Sequence, residues 1–429
     1  MTHISLDMAG VREQFPALQQ TDAQGRPYVF FDGPGGTQVP RMVIDAMGDY
    51  LVHANANTHG TYVTSRRSDE IIAKTRQAVA DFLNAGSPNE IVFGPNMTTL
   101  TFNLSRAVGR RIKPGDEIIV TRLDHDANIA PWVALEERGA VVHYADFDPQ
   151  DCTLDVEGLL NLINKRTRLI AVGYASNAVG TINPVRRIAQ AAHAVGAWTY
   201  VDSVHYGPHG PIDVADINCD FLACSAYKFF GPHMGVLYGR YDLLEELSAY
   251  KVRPAENHPP DKFETGTKNH EGLAGVAATI DYLEGLGRAY GAPFEAQCER
   301  YQGRRKTLKA AMAAIRAYET PLAERLIDGL LTVPGLTFYG ITDKAKFDQR
   351  VPTVAFRLEG REPQWIAERL GDEGIFVWDG NYYALAVTER LGVEETGGMV
   401  RVGIAHYNTA EEVDRLLEVV RRLAPDQKS

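Results

Sequence analysis

Lys228 closes an apolar run, Phe221-Leu-Ala-Cys224, that breaks off into Ser225-Ala226-Tyr227-Lys228. Two phenylalanines, a Gly-Pro turn and a second apolar run, Val236 to Tyr238, follow. The pattern predicts a buried strand, a loop and a returning strand. An ammonium beside bulky apolar side chains is desolvated, so its pKa falls and the free amine becomes available as a nucleophile. Taken alone, the same lysine reads as an ordinary surface residue at a strand end. Its partners further up the chain decide otherwise.

In an open α/β sheet, ligands bind beyond the carboxyl ends of the strands. The run Ile91-Val-Phe93 is followed by Asn96-Met97-Thr98-Thr99, Ile118-Ile-Val120 by Asp124-His125-Asp126, and Leu169-Ile-Ala-Val172 by Ser176-Asn177. Trp198-Thr-Tyr-Val201 leads into Asp202-Ser-Val-His205, and Phe221 to Cys224 into Ser225, Tyr227 and Lys228. Thr98 and Thr99 open a helix, where free amides and the positive dipole end favour a phosphate. Ser225 and Tyr227 add hydroxyl donors. An aspartate such as Asp202 can keep a pyridine nitrogen protonated, and His125 offers a flat ring for stacking. Phosphate, pyridinium and imine-forming amine are the three attachment points of pyridoxal 5'-phosphate. Each piece alone has a plainer reading: Thr-Thr as helix capping, His125 as a hydrogen-bonded histidine. Asp124-His125-Asp126 with His143 could be read as oxygen and nitrogen ligands for a metal. The neighbouring strand ends supply an amine and hydroxyls instead, so no metal is expected. No GxGxxG opens the first strand-helix turn, which argues against a dinucleotide.

The elements that must hold these residues alternate. Helices are expected near Val39, over 68–83, 98–108, through Trp132 to Leu135, from an N-cap at Asp155 to Leu162, and over 185–195, with the apolar runs as strands between them. That rhythm predicts an α/β fold, a mostly parallel doubly wound sheet. The strand at Val236 returns after too short a turn for a crossover and is expected antiparallel. Tyr28 to Phe31 reads as a short strand entering Asp32-Gly-Pro-Gly-Gly36, a cluster that lets backbone approach a ligand or simply makes a turn. Beyond about residue 290 two charged helices are expected, Cys298 to Tyr318 and Pro321 to Leu331. Short strands near 336–339, 353–356, 375–377 and 400–402 and an amphipathic helix over 410–423 follow. The expected division is a large domain over 26–290 and a small α+β domain of 1–25 with 291–429.

The 429 residues are 45% hydrophobic, enough for a large core. Forty-four Lys+Arg against 55 Asp+Glu give a net charge of -11, which argues against a nucleic-acid partner. Four scattered cysteines without a CxxC pair fit a reducing compartment. The opening Met1-Thr-His-Ile-Ser-Leu-Asp has no leader pattern and no run reaches membrane-span length. A cytoplasmic protein without membrane association is expected.

Over nearly its whole length the chain resembles the fold-type I, class V aminotransferase superfamily, in its cysteine desulfurase-like branch. The specific stretches are Asp124-His-Asp-Ala-Asn-Ile-Ala-Pro-Trp132, Ser176-Asn-Ala-Val-Gly180, Tyr200-Val-Asp-Ser-Val-His205, Ser225-Ala-Tyr-Lys-Phe-Phe-Gly-Pro232 and Val400-Arg-Val-Gly-Ile-Ala-His-Tyr-Asn408. The resemblance implies Lys228 as the Schiff-base lysine, Asp202 as the pyridinium partner and His125 stacked on the ring, the three catalytic positions. It places Asn177 near the ring hydroxyl or the substrate carboxylate, Thr98, Ser225 and Tyr227 on the phosphate, and His205 where the family has glutamine. Thr267 looks like a residue lent by a second subunit, which implies a homodimer with shared sites. Arg401 matches the arginine that forks onto the substrate's α-carboxylate. The family's cysteine-bearing loop aligns with Trp378-Asp379-Gly380-Asn381-Tyr382-Tyr383-Ala384. Tyr383 replaces the sulfur-accepting cysteine, and Trp378 replaces an arginine. Asp379 reads as a loop hydrogen-bonder; turned to the pocket, it would favour a substrate with a distal cation. The expected activity is a carbon–sulfur β-elimination lyase acting on an amino acid without persulfide transfer, with epimerase, aminotransferase or silent ligand binder as alternatives.

Overall fold

The computed structural model describes residue 4 and residues 6–425; Met1 to His3 and Ser5, part of the opening read as lacking a leader, lie outside the described residues. Thirteen strands are described: β1 (Val29–Phe30), β2 (Ile91–Gly94), β3 (Glu117–Thr121), β4 (Val141–Ala145), β5 (Thr167–Gly173), β6 (Trp198–Asp202), β7 (Phe221–Ser225), β8 (Gly235–Gly239), β9 (Leu336–Tyr339), β10 (Thr353–Leu358), β11 (Ile375–Phe376), β12 (Trp378–Gly380) and β13 (Met399–Gly403).

The main sheet has the order β2-β8-β7-β6-β5-β3-β4. Its central strands are mostly apolar because helices cover both faces, whereas the edge strand β4 leaves Val141 and Tyr144 exposed. β7 to β4 pair in parallel, while β8 runs antiparallel to both β2 and β7, as the short Gly-Pro turn requires. The helix capped by Asp155, whose carboxylate accepts from the Gly158 amide, spans Val156–Leu162 as expected.

Several elements differ from the sequence reading. The two expected charged helices are one, Gly303–Leu331, with Pro321 inside it. Proline removes one helical donor, but Leu322, Leu326, Ile327 and Leu330 bury into the core under the small sheet on the far side, and that packing carries the helix through. The helix begins against His270–Tyr290, which was not anticipated, and ends against Ala410–Leu423. The stretch around Trp132 is only a short turn of helix, Ala130–Val133, tightening into a 3-10 segment, Ala134–Arg138. Ile375 and Phe376 do not join the second sheet; β11 pairs in parallel with β1, and β12 supplies the edge of the β12-β13-β10-β9 sheet instead. Val29 and Phe31 bury in the core of that second sheet, and Asp32 to Gly36 leaves it toward the end of β7. No helix among the described residues is long and apolar enough to cross a membrane.

Candidate active site

The parallel strands of the main sheet bring their polar ends to one place. Past β7, the 3-10 turn Ala226–Lys228 aims the half-buried Lys228 Nζ at the carbonyl of Pro34, to which it donates a hydrogen bond. Its pKa falls to about 7, first through burial and then through the Arg401 cation, with Asp202 and Asp32 pulling the other way. Asp202 ends β6, is buried, and accepts the Val204 amide at 2.9 Å. Burial pushes it up to about 6, opposed by that hydrogen bond and by Lys228. His125 accepts the Ala127 amide on Nδ1 at 3.0 Å, so the proton of its neutral ring sits on Nε2. Burial, Lys228 and Arg401 lower its pKa to about 4. It is therefore a flat, uncharged ring at neutral pH.

At one end of the site lies the helix Met97–Gly109. Asn96 caps it by accepting the Thr99 amide at 2.8 Å, and the Met97 amide donates to Ser225 Oγ at 3.2 Å. The Thr98 amide donates no hydrogen bond among the described residues. The Thr98 amide is therefore free to donate, whereas the Thr99 amide is engaged by the cap. Tyr227 stacks on His233 with ring centroids 4.9 Å apart.

At the opposite end, Arg401 rises from β13. Its Nη1 donates to the Asn177 carbonyl at 2.8 Å and its guanidinium lies 4.2 Å over the Tyr382 ring. Asn177 Nδ2 donates to the Tyr382 carbonyl at 2.9 Å. Three buried polar atoms here have no partner: Arg401 Nε, Asn177 Oδ1 and Asp32 Oδ1. Each such atom costs about 1–3 kcal/mol if left unpaired, a cost that a polar ligand bound at this end would relieve. His205 is buried with Nε2 3.0 Å from Thr353 Oγ1, and burial and then His209 hold it neutral, well below the usual imidazole range.

An inner chamber is lined by Thr98, His125, Asn177 and Asp202, and further by His205, Ser225, Tyr227 and Lys228. Thr99, Asp379, Tyr383 and Arg401 line the wider cleft of about 1980 Å³ that leads to it. Thr267 lines neither and is exposed on its loop. Asp379 is not in a loop. It lies on β12 opposite Val400, one residue beyond Trp378, which pairs with Arg401. Strand alternation therefore turns its carboxylate away from Arg401, and burial and then Glu368 raise its pKa at the outer rim. Sequence reasoning gave no cofactor or substrate role to Asp32, which burial pushes up to about 6 beside Arg401 and Lys228, and weighed Asp124 only as a metal ligand. Asp124 is fully buried, accepts the Gly173 amide at 2.8 and 2.9 Å and Asn128 Nδ2 at 2.7 Å, and burial pushes it up to about 7. The signal for both was their position just past a strand.

Among the described residues no group of three or more His, Cys, Asp or Glu is placed to hold a metal ion. The residues present do fit pyridoxal phosphate. A free helix amide with two hydroxyls suits the phosphate, a buried aspartate the ring nitrogen, a neutral imidazole the ring face and a low-pKa amine the aldehyde.

A family model described as Aminotransferase class-V matches residues 29–304 and 305–416. A probable cysteine desulfurase of Mycolicibacterium paratuberculosis is 33% identical over 98% of this chain, which spans only 59% of that protein. A cysteine desulfurase of Pectobacterium atrosepticum is 32% identical over 98% of both chains. The apo cysteine desulfurase structure from Thermococcus onnurineus superposes with a TM-score of 0.85 at 27% identity, covering 99% of both chains.

Proposed function

The chain belongs to the class-V aminotransferase family, and on that premise we propose that it is a pyridoxal-phosphate enzyme that cleaves a carbon–sulfur bond in an amino acid by β-elimination, without persulfide transfer. The observation that carries the reading is Lys228, an amine with a pKa of about 7 set among Asp202, Asp32 and Arg401 beside three unpartnered polar atoms. Against sulfur transfer stands Tyr383, whose phenol cannot form a persulfide. All four cysteines are buried, none lines the cleft, and burial pushes the Cys152 thiol up to about 12.

Pyridoxal phosphate supplies, when bound, an electron sink conjugated to the substrate's α-carbon. The Thr98 amide and the hydroxyls of Ser225 and Tyr227 would hold the phosphate, Asp202 the ring-nitrogen proton, and His125 and His205 the ring face and the ring-oxygen side. Arg401 binds the α-carboxylate through its free Nε, and Asn177 Oδ1 faces the same end. Lys228 Nζ takes the α-proton. The Cβ–S bond then breaks, its electron pair leaves with sulfur, and the leaving thiolate is protonated. With water, an S-substituted cysteine gives a thiol, pyruvate and ammonia.

The test is to load the purified protein with pyridoxal phosphate and incubate it with a panel of amino acids. Pyruvate with thiol or sulfide, absent in Lys228→Ala, is the expected result. Racemised or transaminated product from the panel, with none from any cysteine derivative, would replace the lyase reading. A protein that takes up no cofactor and shows no visible absorption band would be a silent ligand-binding relative.

A further inference from the structure

We propose that Trp378, together with Tyr383, forms the recognition wall for the substrate's side chain and selects amino acids carrying a bulky, neutral, apolar substituent. This rests on the amino-acid reading above and names its substrate class.

Trp378 is the cross-strand partner of Arg401 in the β12–β13 pair, so the two side chains share one face of the sheet. The indole lies directly against Gly35: a Cβ built there would fall 2.1 Å from Trp378 Nε1, so a side chain at 35 would displace the indole. The neighbouring residue, Pro34, accepts the Lys228 hydrogen bond. The indole therefore lies between the carboxylate-binding end and the proton-moving end of the site. It is nonetheless 48% exposed, and its N–H donates no hydrogen bond among the described residues.

Tyr383 belongs to the same cleft, 74% exposed, with its ring stacked on His125 at 5.6 Å and 17°. Its loop is fixed. The Tyr383 carbonyl accepts the Asp126 amide at 2.7 Å, and Tyr382 and Tyr383 both sit at positive φ, 56° and 58°. Left-handed backbone at two bulky residues costs on the order of 1–3 kcal/mol each and persists only where the surroundings impose it. Two large aromatic surfaces held open in one ligand cleft are area waiting to be covered.

Aromatic faces accept cations as well as apolar groups. Charge decides between them. Lys228 and Arg401 are balanced by Asp202 and Asp32 beside them, and the outer cleft sets Arg357 and Arg361 against carboxylates such as Glu394 and Glu395. With both signs already paired off, a cationic substituent loses its hydration without a free counter-charge assigned to it. An acidic substituent would compete with the α-carboxylate for Arg401. A neutral apolar group meets neither objection.

Amino acids bearing a methyl in place of the α-proton bind without turnover, so affinity can be read by calorimetry on the cofactor-loaded protein. We expect α-methylphenylalanine to bind about tenfold tighter than α-aminoisobutyrate. That ratio should collapse toward one in Trp378→Ala and largely return in Trp378→Phe. A ratio unchanged in Trp378→Ala, or tighter binding of α-methylaspartate than of α-methylphenylalanine, overturns the inference and leaves the amino-acid reading standing. Binding of none of the analogues to the native protein overturns that reading and this inference with it.

Discussion

Lys228 is surrounded by opposing influences that can be varied one at a time. Burial and the Arg401 cation favour the free amine, while Asp202 and Asp32 favour the ammonium, and the balance lies near pH 7. Only the unprotonated amine attacks, so in cofactor-free protein the acylation rate of Lys228 should rise with pH and level off above about 7. An ordinary lysine levels off near 10.4. Arg401→Gln removes a repelling cation and should move the midpoint up by about half a unit to one unit. Asp202→Asn removes an attracting carboxylate and should move it down. Mass-spectrometric labelling across pH reads all three proteins. A native midpoint near 10, or no upward movement in Arg401→Gln, would remove the electrostatic account of this lysine.

The helix Gly303–Leu331 is the element on which the two sheets depend jointly. Glu319, fully buried in its middle, accepts His209 Nδ1 at 2.8 Å, and His209 packs edge-on to His205 with ring centroids 5.7 Å apart. Glu319→Ala leaves a buried imidazole donor unpaired, at a cost of about 1–3 kcal/mol. The thermal midpoint should fall clearly, and Glu319→Gln, which keeps an acceptor, should lose less. Equal midpoints in all three proteins would show the pair to be idle. This helix also marks where sequence reading stopped. Proline at 321 and the charged face suggested a break, because the apolar side that overrides it meets a core formed by residues from both ends of the chain. The helix His270–Tyr290 was hidden by Gly272, Gly275, Gly285 and Gly287, which poor propensity assigns to loops although packing against its neighbours holds them helical. The central strands of the main sheet were legible because strands buried on both faces are plain apolar runs, and the inner chamber was legible because its residues directly follow them. Trp378 and Asp32 reach the site from the second sheet's side while Asp379 stays at the rim, and a strand as short as β12 carries too little pattern to reveal which face a residue takes.

At the scale of the whole molecule, one proposed site residue stands apart from the rest. Thr267 is exposed and lies outside the cleft of its own chain, on a segment whose start is tightly held: Glu264 accepts Arg76 at 2.7 and 2.8 Å and the Phe93 amide at 2.8 Å. A well-anchored loop carrying an exposed hydroxyl beyond its own site suits delivery to another copy. The helix Arg41–His53 also presents Ile44, Leu51 and Val52 to solvent, apolar surface of the kind a subunit contact covers. We therefore predict a two-fold dimer in which each cleft combines Lys228 of one chain with Thr267 of the other. Lys228→Ala and Thr267→Ala proteins should each have little activity alone. After subunit exchange, random pairing makes half the dimers hybrids, each with one intact cleft and one carrying both lesions. Activity should then recover to about a quarter of the native value per subunit. Exchange verified by mass spectrometry with no recovery would mean that each cleft is built from a single chain. Thr267 would then have no part in it, because within its own chain it does not reach the chamber that holds Lys228.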